Sequence, residues 1–435
     1  MAENKKTKSF SNLLQQGLGR TCDRVKEQSK KELRHDLLNA CLHNLAYDAQ
    51  CEKSRAEWLF ELIYLTDDSE FYRRHIYKAL SETDDFWDKQ QLYDLVAIWA
   101  KQGDKKAKQI IYDTFSRQND NESWLGGEQI IAIDGIAGLL YVAEIVGTKL
   151  LQDAELWQDD YLIFQTSEVF GLSAVMEALE TESLTNTKVK TYLDAVKSHK
   201  HNLVLKNDIR KSRPKMSIDS ETIFEYVEQK KSFFSVFYRF GKNASEKELN
   251  LVFEKLLQET RQEQLIRYLW IFKKRQLPKL DKRLLELAKS NDDILQASAI
   301  AAFANNKNSS LRDLAIELIK EQPKSLNKGV LTLLINNYQS GDFQLIESIL
   351  KKPSQNIDLR HDLGFDLIKV IDTQKTLELQ ACGLWIYENT PCANCRRRIV
   401  EILVELKQAP KTLLKECLQD CSPEIRDFAE KALAL

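Results

Sequence analysis

IRDFAEKAL, residues Ile425 to Leu433, is the stretch from which the fold can be read, because the same nine-residue phrase, apolar-Arg-x-x-small or apolar-x-x-apolar-apolar, occurs four more times. It reads YRRHIYKAL from Tyr72 to Leu80, LRDLAIELI from Leu311 to Ile319, LRHDLGFDL from Leu359 to Leu367 and CRRRIVEIL from Cys395 to Leu403. In LRDLAIELI the apolar Leu311, Leu314, Ala315, Leu318 and Ile319 stand at i, i+3, i+4, i+7 and i+8, one stripe along one helix. Burying each Leu or Ile of that stripe contributes about 1.5 to 3 kcal/mol, and only a neighbouring helix can bury it. A recurring unit of two short helices therefore predicts stacked layers and an elongated superhelix.

Working outward, apolar spacing and polar breaks divide the chain from about residue 245 into helix pairs that start near Ser245, Asp281, Ser309, Asp342, Thr373 and Pro410. The starts lie roughly 30 to 36 residues apart. Second helices open on turn-forming or capping residues such as Asp292, Asn356 and Ser422. Nearer the N-terminus, Ser54 to Leu65 pairs with Ser69 to Leu80, and Asp88 to Lys101 pairs with Asp104 to Gln118 across Gln102-Gly103. Residues 124 to 180 break the pattern with WLGGEQIIAIDGIAGLLYVAEIVG and a second helix expected from about Gln158 to Glu180. Small residues such as Ala315 and Ala429 sit where a neighbouring helix must come close.

The five phrases, and SPEIRDFAEKAL from Ser422 to Leu433 and DDSEFYRRHIYKAL from Asp67 to Leu80 above all, resemble the HEAT-repeat family, whose second helices begin with Asp or Pro, then an apolar-Arg pair, then Ala and Ala-Leu positions. The resemblance covers about two thirds of the chain and weakens in the centre. It implies an all-α, right-handed solenoid of stacked antiparallel helix pairs with an irregular central region. It also implies that Arg73, Arg312, Arg360, Arg396 and Arg426 are structural and pair with an acidic residue in or near an adjacent turn. HEAT repeats serve scaffolds, adaptors and a few enzymes, so they speak to fold more than to function.

Bulk composition agrees with a helical chain. Of 435 residues, 43% are hydrophobic and 29% charged, with only 14 Gly and 7 Pro, too few for strand-and-turn architectures. The opening MAENKKTKSF is polar and basic, which implies neither a signal peptide nor a membrane anchor. Asp134 and Glu144 interrupt the apolar run from Ile130 to Gly147, which is expected to be a buried helix and not a bilayer span. Eight scattered cysteines suit a reducing compartment, so a cytoplasmic location is expected, with no membrane partner.

The net charge of −2 hides a separation. From Asp48 to Glu180 there are 12 basic against 26 acidic residues, whereas from Lys188 to Arg283 there are 23 against 12. Within the basic block, KSHKHNLVLKNDIRKSRPK from Lys197 to Lys215 lacks apolar periodicity and reads as a loop carrying Lys206, Arg210, Lys211, Arg213 and Lys215. A second cluster, KKRQLPKLDKR, brings Lys273, Lys274 and Arg275 to an inter-helix turn. Both are candidate partner- or anion-binding surfaces. Tyr268 and Trp270 precede the second cluster and could stack on bases, although helical spacing favours core packing for them.

Motifs for catalysis are sparse. Cys392-x2-Cys395 followed by Cys417-x3-Cys421 has spacing that can hold tetrahedral zinc, but Cys395 takes the apolar slot that Ile425 fills in the next copy. Buried free thiols are the favoured reading, with a metal or redox pair as alternatives, and no metal or cofactor is expected. Gly126-Gly127 before a helix lacks the Gly-Lys-Ser/Thr ending of a phosphate loop, so Gly135 and Gly138 are expected to serve close helix packing. Asp134 and Glu144 are expected to be satisfied structural carboxylates, with a site role as the alternative. The six histidines are scattered, without a metal-hydrolase pattern.

These observations divide the chain into a flexible tail over 1–20, an acidic HEAT-like helical region over 21–195, a basic loop or linker over 196–216 and a HEAT-repeat region over 217–435. The expected function is a non-catalytic scaffold or adaptor that binds a macromolecule, first of all a protein, on its concave face. The alternative is a nucleic-acid-binding HEAT protein, even a glycosylase-like enzyme, that uses the basic clusters at 197–215 and 273–283.

Overall fold

A computed structural model describes residues 8–28, 30–118, 125–153, 156, 158–198, 218–229, 234–321, 326, 328–351 and 355–434, and all regular structure among them is helical. The fold is all-α. It divides into two compact units, one formed by Met1–Lys215 with Gln419–Pro423 and the other by Met216–Leu418 with Glu424–Leu435.

The first unit contains α1 (Phe10–Gln16), α2 (Arg20–Glu27), α3 (Lys30–Leu42), α4 (Ala49–Glu52), α5 (Ala56–Leu65), α6 (Ser69–Glu82), α7 (Phe86–Lys101), α8 (Lys105–Arg117), α9 (Gly127–Gln152), α10 (Tyr161–Phe170), α11 (Leu172–Ser183) and α12 over residues 187–198. Helix α7 is its centre, packed against α5, α6, α8 and α9. Trp58, Tyr72, Tyr93 and Phe115 are fully buried there.

Residues 8–20 are not the tail the sequence suggested. Ser9 caps α1 through the Asn12 N–H, Gly17 closes it in the left-handed region (φ 72°), and Leu13, Leu14 and Leu18 are buried. The helix expected over 158–180 is two helices, because Gly171, at φ 83°, breaks it between α10 and α11. Helix α9 is also interrupted: Gly135 adopts φ 60°, ψ −131° inside it. A Cβ on Gly138 would lie 2.6 Å from the Ile130 carbonyl oxygen, so that glycine serves the approach of the two halves of α9 to each other. The close approach to another helix falls instead on Gly147, where a Cβ would lie 1.9 Å from the Lys188 carbonyl oxygen.

Asp134 accepts a hydrogen bond from Tyr112 and pairs with Lys108 at 2.7 Å, while Glu144 pairs with Lys188 at 2.9 Å. Both carboxylates are held below their ordinary range; burial opposes this for Asp134 but is outweighed by its Lys108 and Tyr112 hydrogen bonds, and the Lys188 hydrogen bond leads for Glu144. Each is a satisfied structural acid. By length and composition α9 is apolar enough to cross a bilayer, and 39% of its most apolar window is buried within the protein.

Asp94 on α7 behaves in the opposite way. Desolvation lifts its carboxyl to about 6, only partly offset by hydrogen bonds from Gln129, at 2.6 Å, and Ser54. A carboxyl raised in the folded state binds more protons there than in the unfolded chain, so its contribution to stability falls as pH rises through roughly 4 to 6. Asp94→Asn, which keeps the acceptor oxygen for Gln129, is therefore expected to unfold like the parent near pH 4. At pH 7 it should be more stable by on the order of 2 kcal/mol, because the edge of Asp94 still meets solvent. Paired urea titrations across that range measure the difference, and a constant offset would remove Asp94 as its source.

The second unit contains α13 (Ser220–Glu228), α14 (Phe234–Asn243), α15 (Glu246–Gln258), α16 (Gln262–Ile271), α17 (Lys282–Leu287), α18 (Asp293–Phe303), α19 (Ser309–Glu321), α20 (Asp342–Leu350), α21 (Ile357–Gln374), α22 (Gln380–Asn389), α23 (Ala393–Glu405), α24 (Lys411–Cys417) and α25 (Pro423–Ala434), with 3-10 turns at Phe272–Lys274, Val330–Leu334 and Leu377–Leu379. The starts follow from local chemistry. Ser245 and Glu248 form a capping box on α15, and Asp281, Asp292 and Asn356 cap α17, α18 and α21 through their side chains.

In this unit the second helices of successive pairs lie side by side. Helix α16 packs between α14 and α18, the Val330–Leu334 turn packs against α18 and α21, and α21 packs against α23. The stripe read from LRDLAIELI is buried as expected, as is Ala429. Two asparagines tie together loops about 30 residues apart. Buried Asn306 donates to the Leu277 carbonyl and accepts its N–H, both at 3.1 Å. Asn337 donates to the Asn306 carbonyl at 3.0 Å and accepts the Asn308 N–H at 2.7 Å.

Two of the five phrase arginines reach an Asp about 30 residues further on. Arg73 meets Asp104, the N-cap of α8, at 2.9 Å, and Arg312 grips Asp342 at 2.6 and 2.9 Å. Arg396 is fully buried and donates to the Pro391 carbonyl at 3.4 Å. Arg360 has a buried Nε, and burial lowers its guanidinium pKa.

Candidate functional site

The turn after α16 displays the only candidate partner-binding residues from the sequence that fall among the described ones. Lys206, Arg210, Lys211, Arg213 and Lys215 lie outside the described residues. Phe272 and Ile271 anchor the turn in the core, which leaves Lys274 exposed and Lys273 and Arg275 half-buried. The Lys273 ammonium lies 4.2 Å from the centre of the Trp270 ring, a cation–π contact. Partial burial, then Lys274 and Lys369, hold it below the ordinary lysine range. Tyr268 is buried as a core residue, whereas Trp270 is half-buried with Phe234 4.8 Å away.

Beside this turn runs a groove of about 350 Å3 lined by Trp270, Lys273, Asp293, Ile294, Ser298 and Lys328, with Lys328 paired to Asp293 at 2.7 Å. Two apolar side chains are exposed here, Ile294 in the groove at 63% and Phe234 beside Trp270 at 42%. Helix α21 extends the same chemistry. His361, Phe365 and Lys369 stand at i, i+4 and i+8, and so form one ridge. The Lys369 ammonium lies 4.1 Å over the Phe365 ring, which is 50% exposed, and pairs with Asp366 at 3.0 Å. Lys273 and Lys274 have no carboxylate within 4.0 Å among the described residues. Lys274 and Lys369 repel the Lys273 ammonium, a repulsion that an anionic partner would relieve.

The sequence reading missed Phe365 and Lys369, although both lie within or just after the phrase LRHDLGFDL, at the spacing of a helix ridge. It also missed the neighbour of the cysteines. His361, Cys392 and Cys395 bring one ligating atom each to within 4.8 Å of one another. Cys392 is the N-cap of α23 and Cys395 lies in its first turn, so the two-residue gap places both sulfurs at one helix end. His361 is the fifth residue of α21, the neighbour of α23. Hydrogen bonds from the Cys395 thiol, from His361 and from the Cys395 and Asn394 N–H groups hold the Cys392 thiol well below its ordinary range, and burial only partly opposes them. The His361 imidazole is raised, first through its hydrogen bond to Cys392.

The other two cysteines of the expected set do not join this group. Cys417 is buried in α24, and Cys421 belongs to the first unit, where it packs in the core beside Gly17 and donates its N–H to the Gly17 carbonyl at 2.9 Å. Cys41 and Cys382 show the ordinary case, since desolvation raises both thiols.

Compared with known proteins, the chain matches no family profile and no curated sequence.

Proposed function

We propose that the protein is a non-catalytic, HEAT-like solenoid adaptor that binds a macromolecular partner on the face lined by the second helices α14, α16, α18, α21 and α23. The partner this face fits is a protein segment that combines acidic with aromatic or aliphatic side chains. One observation carries the reading: Lys273 and Lys274, with no carboxylate within ion-pair distance among the described residues, stand among the exposed Phe234, Ile294 and Phe365. Apolar anchors beside cations match the composition of binding hot spots, and a rigid helical face lowers the ordering cost of association. The side-by-side second helices, the Asn306 and Asn337 ties and the Arg312–Asp342 pair, all bridging about 30 residues, support the repeat reading. Eight free thiols suit the reducing cytoplasm in which we place it.

Nucleic acid is the second reading, favoured by Trp270 beside the same lysines, since a half-buried ring next to cations can stack a base. Selection from a displayed library of random peptides, followed by affinity measurement on the purified chain, separates the two. Acidic-aromatic peptides are expected to bind, and Lys273→Glu with Lys274→Glu should weaken them by roughly tenfold or more. If no peptide is selected while a 20-nucleotide single strand binds with a steep salt dependence that the same change abolishes, the nucleic-acid reading replaces the first.

A further inference from the structure

We propose that His361, Cys392 and Cys395 form a three-ligand site for a tetrahedral divalent metal, zinc foremost, with a fourth position left for water or an incoming ligand. The site lies on α21 and α23, two of the helices that line the binding face above, but its argument does not rest on that reading. Zinc at about 2.3 Å from sulfur and about 2.0 Å from nitrogen requires ligand atoms roughly 3.5 to 3.8 Å apart in a tetrahedron. The three atoms already lie within 4.8 Å of one another, so small side-chain rotations close the set. Two sulfurs from a Cys-x2-Cys at a helix start, with a third ligand from a neighbouring element, is a spacing that zinc sites use. The helix N-terminus favours the thiolate forms that a metal needs.

The imidazole is oriented before any metal arrives. Its ring stacks on Phe365, with centroids 6.2 Å apart and planes 17° from parallel, and Asp362 Oδ1 lies 3.6 Å from Nδ1. At 3.6 Å the carboxylate lies just beyond hydrogen-bond reach, and a small rotation would let it hold the ring tautomer as carboxylates do beside metal-bound histidines. Both cysteines are almost fully buried while His361 is half-buried, so solvent reaches the site beside the histidine. A Cys392–Cys395 disulfide would give His361 no part to play.

The test uses the full chain, reduced, stripped with a chelator and titrated with Co2+. The expected result is one equivalent bound, with a thiolate-to-cobalt charge-transfer band and the intense visible bands of a tetrahedral site, and displacement by Zn2+. Cys392→Ser with Cys395→Ser should abolish the bands, while Cys417→Ser with Cys421→Ser should leave them unchanged. His361→Ala should weaken binding by more than the roughly 10- to 100-fold that loss of an outer partner costs. Circular dichroism confirms that each variant is folded, and the parent chain alone can refute the idea. Absence of the bands at stoichiometric Co2+, their survival in the Cys392 and Cys395 double variant, or a Cys392–Cys395 disulfide in a chain that takes up no metal once reduced would each overturn the proposal.

Discussion

Gly241→Ala is expected to destabilise the second unit by at least about 4 kcal/mol, the range in which single changes are exceptional. A Cβ at this position would lie 1.8 Å from the Ile271 carbonyl oxygen and 2.8 Å from its carbon, where real contacts stay beyond 3 Å. The obstacle is backbone, which cannot rotate aside as a flexible side chain would, so α14 and α16 must separate by more than an ångström. Separation loosens the packing of α14 against α16, two helices that bury Phe237, Phe240, Tyr268 and Leu269. Ordinary overpacking costs about 1 to 3 kcal/mol because neighbours can yield, and here they cannot. Gly341 provides the contrast: it has φ 94° but open space where a Cβ would go, so only backbone strain is at stake. Urea unfolding gives the answer, and a loss below about 1 kcal/mol would mean that the two helices are not held this close.

Arg312→Leu should cost about 3 kcal/mol at neutral pH. The guanidinium meets both oxygens of Asp342, which is only 5% exposed and also accepts the Gln339 N–H at 2.9 Å. Without the arginine, a carboxylate remains buried at the start of α20 with one backbone donor. The loss is set at the lower end of the range for buried pairs because Arg312 keeps about a quarter of its side-chain surface in solvent. Asp342→Asn in the same chain should recover part of the loss, since the buried charge is gone. A double-mutant cycle reads the coupling directly, and a coupling near zero would show that the pair does not bridge successive layers. The Arg73–Asp104 pair, more exposed on both sides, should show a weaker coupling.

Both positions bear on what the sequence could and could not disclose. Arg312 belongs to the repeated phrase, and its acidic partner stands about one repeat away at a helix start already visible from polar breaks. Gly241 gives no such sign, for it sits inside the helical run FSVFYRFGKN, where a glycine reads only as a weak helix former. The doublets Asn305-Asn306 and Asn336-Asn337 stand 31 residues apart, and Lys273-Lys274 stands a further 32 residues before them. Gly171 and Gly135 were visible as glycines, but positive φ is a property of the folded backbone. The leading helix α1 was overlooked because a Ser9 cap and a Gly17 stop enclose only two turns, too short for periodicity to register.

The candidate sites divide along the same line. Lys273, Lys274 and Arg275 were legible as a charge cluster, and Cys392-x2-Cys395 as a ligand pair, because both are local. Their companions were not. Lys369 reaches the field of Lys273 and His361 reaches Cys392 only because neighbouring second helices run side by side. By itself the sequence determined an all-helical chain and most of its helix starts, since caps, apolar stripes and turns depend on interactions within four residues or so. Which histidine stands beside the thiols, which glycine admits a backbone and which lysines share a face were decided by tertiary packing. Those outcomes depend on how far one helix is displaced along its neighbour, a quantity that no periodicity encodes.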